Sequence, residues 1–327
     1  MKKGIILSGM RPTGKLHLGN YVGALESWVK FQEEYQNYHM VANWHALTTS
    51  YENVGSFHRD TIDMVIDWIA AGIDPQKSVI FVQSDIIEHA ELHLLFSMLI
   101  TLARLERNPT VKEQIRELHL EENVSYGHLG YPVLQAADIL IYKANLVPVG
   151  EDQVPHIEIT REIARRFNFL YGEVFPEPEA SLTQFARFPG LNGNRMSKSV
   201  GNTILLSDSP AEIKSKIMLA VTDPQKVYLT DKGHPDVCNV FVYHQKFNSG
   251  EISRIREDCE NARLGCVVCK ENLAEKLILS FAKFRQKRQE LEENEKKVEE
   301  ILAEGAEKAR KAARATMAEV RNVMRVR

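Results

Sequence analysis

The sequence predicts an α/β protein: a doubly wound parallel sheet followed by an all-helical C-terminal domain. Three observations predict it. Short apolar runs alternate with amphipathic helical patterns through the first half of the 327 residues, which is the signature of a parallel sheet covered by helices. The runs end on small or polar residues, as strands do where such a sheet presents a ligand-binding edge. From about Ser209 the strand signals fade and helical patterns take over.

The elements follow in order. Gly4–Ser8 is the first strand, and the turn Gly9–Gly14 leads to His17-Leu18-Gly19-Asn20. These residues open a helix with Tyr21, Val22, Ala24, Leu25, Trp28 and Val29 at helical spacing. Strand, glycine-punctuated turn and helix together present backbone N–H groups to an anion, and Gly19 leaves room for a flat ring against the backbone. Tyr38–Asn43 is the second strand and His58–Ala71 a helix stopped by Gly72-Ile73-Asp74-Pro75. Ser78–Gln83 is the third strand. The fourth, Leu146–Val149, runs into Gly150-Glu151-Asp152-Gln153 before another helix. These details make the sheet Rossmann-like. The stretch Arg187–Ser199 carries glycines, small polar residues and three cations and reads as a mobile loop. Taken alone it is solvated surface.

The chain has room for about two domains, and a boundary is expected near Leu206. That gives a Rossmann-like domain over 1–206, with a loop at 190–202, a helical domain over 207–290, and terminal helices over 291–327. A net charge of −3 excludes a polycation, so any nucleic-acid contact is local. No secretory signal is evident. The longest apolar stretch, Leu94–Ala103, is interrupted by Ser97 and Thr101 and falls short of the ~17–25 residues of a membrane span. A cytoplasmic protein without membrane attachment is expected.

His17-Leu18-Gly19-Asn20 and Arg195-Met196-Ser197-Lys198-Ser199 gain force together. In this order and at this separation they resemble the HIGH and KMSKS signatures of the class I aminoacyl-tRNA synthetases. Tyr131-Pro132-Val133-Leu134-Gln135-Ala136-Ala137-Asp138, followed by Val147-Pro148-Val149-Gly150-Glu151-Asp152-Gln153, narrows the resemblance to the bacterial tryptophanyl-tRNA synthetases. The resemblance implies activation of L-tryptophan by ATP with Mg2+, then transfer to tRNA(Trp). Charge builds on phosphate in that chemistry, so it needs fixed donors and cations rather than a covalent nucleophile.

By the same resemblance, Arg11, Thr13, His17, Gly19, Asn20, Gly150, Asp152, Arg195, Met196, Ser197, Lys198 and Ser199 bind ATP. His17, Lys198, Arg195 and Lys112 are the catalytic group. Arg195 departs from the family lysine, replacing a point charge with a planar fork. Asp138 accepts from the indole N–H, while Gln153 and Tyr131 hold the amino group. Leu7, Ala42, Val147 and Val149 line the indole pocket, with His45 and Gln135 beside it. Without the family, Asp152 reads as a helix cap and Asp138 as a surface aspartate.

Cys238, Cys259, Cys266 and Cys269 fall within 32 residues. Four clustered thiols in a cytosolic chain point to metal rather than disulfides. The Cys-x-x-Cys ending suits zinc or iron–sulfur, and zinc ribbons usually carry two such knuckles. The resemblance favours a 4Fe-4S cluster over Zn2+. Asn272–Arg327 reads as helical, with Gly305 its only glycine, and Lys308–Arg327 carries seven Lys/Arg and one Glu. That basic tail reads equally as a phosphate contact or a solvent face. The family further implies a homodimer, for which the apolar stretch 92–102 is either an interface or core.

Overall fold

In the computed structural model, residues 2–120, 122–182 and 188–326 are described. Among them five strands form one parallel sheet: β1 (Ile5–Met10), β2 (Gln36–Val41), β3 (Ser78–Val82), β4 (Leu146–Val149) and β5 (Glu179–Leu182). Their order is β3-β2-β1-β4-β5, and all pairings are parallel. The chain runs outward from β1 to β3 and then returns to the other side of β1. The switch point therefore lies between β1 and β4, where open sheets of this kind bind ligands.

Four of the strands lie where the apolar runs placed them. β1 extends to Met10 because Gly9 and Met10 stay in register with Met40 and Val41. β5 has no counterpart in the sequence reading. Glu179-Ala180-Ser181-Leu182 is a short edge strand with a partly exposed face, too short and polar for its period to stand out. The helix expected after β1 is also broken. His17 caps a single turn, Leu18–Asn20, a π-helical turn follows at Tyr21–Leu25, and an α-helix resumes at Glu26–Phe31.

The chain divides into two compact units. The first comprises Met1–Gly14, Gly23–Ala186 and Glu293–Arg327. Its core lies on the sheet, where Leu7, Met40, Phe81 and Val147 meet Val133, Ala137 and Ile141 of the helix Tyr126–Ile141. The second comprises Lys15–Val22 and Arg187–Glu292, so the position 206/207 falls inside it. Backbone bonds explain why the short segment belongs there: Leu18 N–H donates to the Ile204 carbonyl and Leu206 N–H to the Leu16 carbonyl, both at 2.9 Å. Tyr21 meets Phe281 edge-on at 5.1 Å. Arg187 lies outside the described residues.

The terminal helix Glu295–Met324 returns to the first unit and packs on β3. Its small-residue stripe permits close approach. A Cβ on Gly305 would sit 1.7 Å from the Ile80 carbonyl oxygen. Three cations of the basic tail are used within the protein, while Lys308, Lys311 and Arg325 are exposed. Arg314 pairs with the buried Glu88 at 3.0 Å, Arg321 pairs with Glu91, and Arg310 donates to the Asp85 carbonyl at 2.8 Å. Arg327 lies outside the described residues. The helix Glu88–Ser97 splits its apolar residues: Leu92 and Phe96 are core, whereas Leu94, with Met98 and Leu102 beyond it, is exposed. Among the described residues no helix is long and apolar enough to cross a membrane.

Candidate functional site

In the first unit a cavity of about 320 Å³ opens at the carboxyl ends of β1, β2 and β4. Leu7, Ala42, His45, Tyr131, Gln135, Asp138, Val147, Val149 and Gln153 all line it, together with Arg11 and Gly150. Ser8, Ala24, Trp28, Thr48 and Gln114 line it too, although the sequence reading had not assigned them. Lys112 does not. It is an exposed side chain on the helix Pro109–Glu117, and Gln114 of that helix reaches the cavity instead.

Asp138 is the electrostatic centre of this cavity. It is 1% exposed. Its Oδ2 meets His45 Nε2 at 2.7 Å, its Oδ1 meets His89 Nδ1 at 2.6 Å, and Gln83 Nε2 reaches both oxygens at 2.8 and 2.9 Å. Burial opposes its ionisation. The hydrogen bonds from His45 and His89 outweigh burial and hold the carboxyl well below the usual carboxylate range. An unpaired carboxylate in such a place would be prohibitively costly, so the surface reading of Asp138 does not hold.

Tyr131 OH lies 2.6 Å from His156 Nε2. Asn108 Oδ1 accepts from the Thr110 and Val111 N–H groups, so its Nδ2 donates to His156 Nδ1 at 3.2 Å. His156 is fully buried, and that burial depresses its pKa to about 4. It is therefore neutral, with its proton on Nε2 and donated to Tyr131. The Tyr131 hydroxyl keeps its own proton for another partner. Asp152 is not the helix cap that its position suggested. The helix Val154–Tyr171 is preceded by a 3-10 turn, Glu151–Gln153, and neither start has a side-chain cap. Asp152 instead accepts from Gln153 Nε2 at 2.9 Å.

The second unit holds the two signature segments. His17 and Asn20 cap each other: His17 Nδ1 accepts from Asn20 N–H at 3.2 Å, and Asn20 Oδ1 accepts from His17 N–H at 3.0 Å. That fixes the His17 proton on Nε2. Burial, and then the charges of Lys198 and Arg195, push its pKa down to about 4, so it is a neutral donor at pH 7. Gly19 N–H points at Met196 Sδ, 3.3 Å away, and a Cβ on Gly19 would lie 3.0 Å from the His17 ring. The loop is braced from within by Asn202, a residue the sequence reading passed over. Asn202 Nδ2 donates to the Arg195 carbonyl at 3.0 Å, and its Oδ1 accepts from Ser197 N–H at 2.8 Å.

Cys238, Cys259, Cys266 and Cys269 are also in the second unit, half-buried and with free thiols. Burial and the nearness of the other three cysteines push the Cys269 thiol up to about 12. Cys269 Sγ lies 3.3 Å from His244 Nε2. Among the described residues no three His, Cys, Asp or Glu side chains converge on a position for a metal ion.

The family model described as tRNA synthetases class I (W and Y) matches residues 1–282. A tryptophan–tRNA ligase of Thermotoga maritima is 56% identical over 288 residues, covering 86% of this chain and 88% of its own. That of Aquifex aeolicus is 44% identical over 343 residues, covering 83% and 87%. The crystal structure of tryptophanyl-tRNA synthetase from Campylobacter jejuni, complexed with ADP and tryptophan, superposes with a TM-score of 0.88. It is 35% identical to this chain and covers 98% of it and 100% of its own.

Proposed function

We propose how this chain, which belongs to the class I tRNA synthetases for tryptophan and tyrosine (W and Y), divides its reaction among its own residues. The activity is tryptophan–tRNA ligation: activation of tryptophan by ATP with release of pyrophosphate, then transfer to tRNA(Trp). The observation that carries the choice of tryptophan is the buried, ionised Asp138 at the cavity wall, flanked by Val147 and Val149. A ring N–H satisfies that acceptor. It takes the place of His45 there, which the ring of phenylalanine cannot do, and sites built for such a bond reject the analogue by about 10⁴–10⁵-fold.

The substrate's ammonium group meets the Tyr131 oxygen and Gln153, and its carboxylate faces Arg11. Arg11 lines the cavity and stays solvent-exposed, so an anion can reach its guanidinium. In the second unit, His17 Nε2–H, the backbone around Gly19 and the cations Arg195 and Lys198 hold ATP with its Mg2+. As pyrophosphate leaves, negative charge grows on the phosphate oxygens, and fixed donors and cations stabilise it. Arg195 offers a fork of donors where the family signature has a lysine, which suits two oxygens at once. Lys112, exposed on its helix, is the weakest member of the catalytic group. The helical region 207–290 is the surface for the tRNA anticodon. The exposed Leu94, Met98 and Leu102 suit a homodimer contact, and the enzyme works in the cytoplasm.

The four cysteines are the ligand set for a 4Fe-4S cluster. Their mutual electrostatic influence and partial burial support a single group. When bound, such a cluster acts as a crosslink among the segments that carry its ligands. Anaerobically purified protein should show the broad visible absorption of iron–sulfur, whereas a colourless sample with stoichiometric zinc would refute the cluster. For the activity itself, a tRNA(Trp) transcript incubated with labelled tryptophan, ATP and Mg2+ should become charged. Failure to charge it with active, folded protein would overturn the assignment.

A further inference from the structure

Asp138 is gripped from two sides by different kinds of partner. His45 and Asp138 both line the cavity, whereas Gln83 and His89 do not and are fully buried behind it. The rear partners are themselves fixed. Trp44 N–H donates to Gln83 Oε1 at 3.0 Å, which turns the Gln83 amide nitrogen toward the carboxylate. An ionised carboxylate only accepts, so His89 Nδ1 carries a proton and donates to Asp138, while its Nε2 is hydrogen-bonded to the Tyr142 hydroxyl at 2.7 Å. Tyr142 is held in turn by face stacking on Tyr38, with ring centroids 4.5 Å apart.

We propose that His89, set by Tyr142, is a positioning residue for substrate selection: with Gln83 it fixes the Asp138 carboxylate from behind, so that His45 is the one partner on the cavity side that a ring N–H can displace. This deepens the reading of Asp138 as the indole acceptor and rests on it. The physical basis is the acceptor capacity of a carboxylate, about four lone-pair directions. Oδ1 is committed to His89 and Gln83, both out of reach of the cavity. Oδ2 keeps its cavity-facing direction for His45 or for substrate. Remove His89 and Oδ1 loses its shortest bond. The carboxylate then turns or takes up a proton, and the difference between a ligand that donates and one that does not is lost.

The experiment measures amino-acid activation by full-length variants. Its readout is the ratio of kcat/KM for tryptophan to that for the benzothiophene isostere, in which sulfur replaces N–H. His89→Leu should lower the ratio about tenfold, the worth of a hydrogen bond to a charged group, with the KM for ATP unchanged. Tyr142→Phe deletes one hydroxyl and should lower it by a smaller factor, about two- to fivefold. His89→Gln, whose amide still donates, should restore part of the loss. If both amino acids lose activity together in His89→Leu and Tyr142→Phe, with the ratio unchanged, the positioning role is overturned. Asp138→Ala separates the two layers. If it leaves the ratio at the wild-type value, the indole reading and the proposal fall together. If it collapses the ratio while the other variants do not, only the positioning role falls. Should His89→Leu not fold, Tyr142→Phe decides.

Discussion

In the proposed reaction Lys198 and Asp138 divide the labour at the level of single side chains, one answering charge in the transition state and the other hydrogen bonding to the substrate ring. Lys198→Ala should therefore lower the rate of adenylate formation by about 10²–10³-fold while tryptophan binding changes little. Single-turnover kinetics with a fluorescence titration of tryptophan would separate the two, and a variant that keeps its rate would remove Lys198 from the chemistry. Asp138 was legible in the sequence as a charge inside an apolar stretch, Ala136-Ala137-Asp138-Ile139. His89 and Tyr142 were not. Both sit in ordinary helical patterns, and what distinguishes them is a chain of hydrogen bonds to a residue about fifty positions away, which no local period encodes. Asn202 escaped for the same reason, since only the folded loop shows it bridging Arg195 and Ser197.

Elements built on hydrophobic period were the most legible, and those built on special geometry the least. The apolar runs marked β1 to β4 because buried parallel strands read as continuous apolar stretches, whereas β5 at the polar edge did not. The π turn at Tyr21–Leu25 shifts the residues per turn only locally, which amphipathic spacing does not reveal. Gly305 stood out as the only glycine of the terminal helix, and the structure supplies its reason. Gly305→Ala places a Cβ against the backbone of β3 at Ile80, a neighbour that cannot rotate away. We expect a loss of about 3 kcal/mol or more, as for other overpacked core positions, read as a lower urea midpoint with little change in slope. A variant within about 0.5 kcal/mol of wild type would show that the helix lifts off β3 at little cost.

For the molecule as a whole, buried neutral histidines set the response to acid. Burial depresses His39 to about 3, and burial first among other causes takes His17 and His156 to about 4. Their ordinary value is 6.5. Between those limits the unfolded chain binds protons that the folded chain refuses, so stability falls as pH drops below 6.5, by about 1.4 kcal/mol per pH unit for each group. The loss levels off below the folded values. Among the described residues His39 has no hydrogen-bond partner for either ring nitrogen, and it stacks on Trp28 at 4.8 Å. His39→Phe should thus stabilise the protein by about 1–2 kcal/mol at pH 8 and by more at pH 5. An unchanged slope of urea stability against pH would refute this. The split into a cavity-bearing unit and a signature-bearing unit was not legible as drawn, because Lys15–Val22 joins residues nearly two hundred positions later through two backbone bonds. The most direct test of the whole account is amino-acid-dependent pyrophosphate exchange with ATP, run separately with each of the twenty amino acids. Exchange with tryptophan, and with neither tyrosine nor phenylalanine, is the result predicted; exchange with tyrosine and not tryptophan would contradict it.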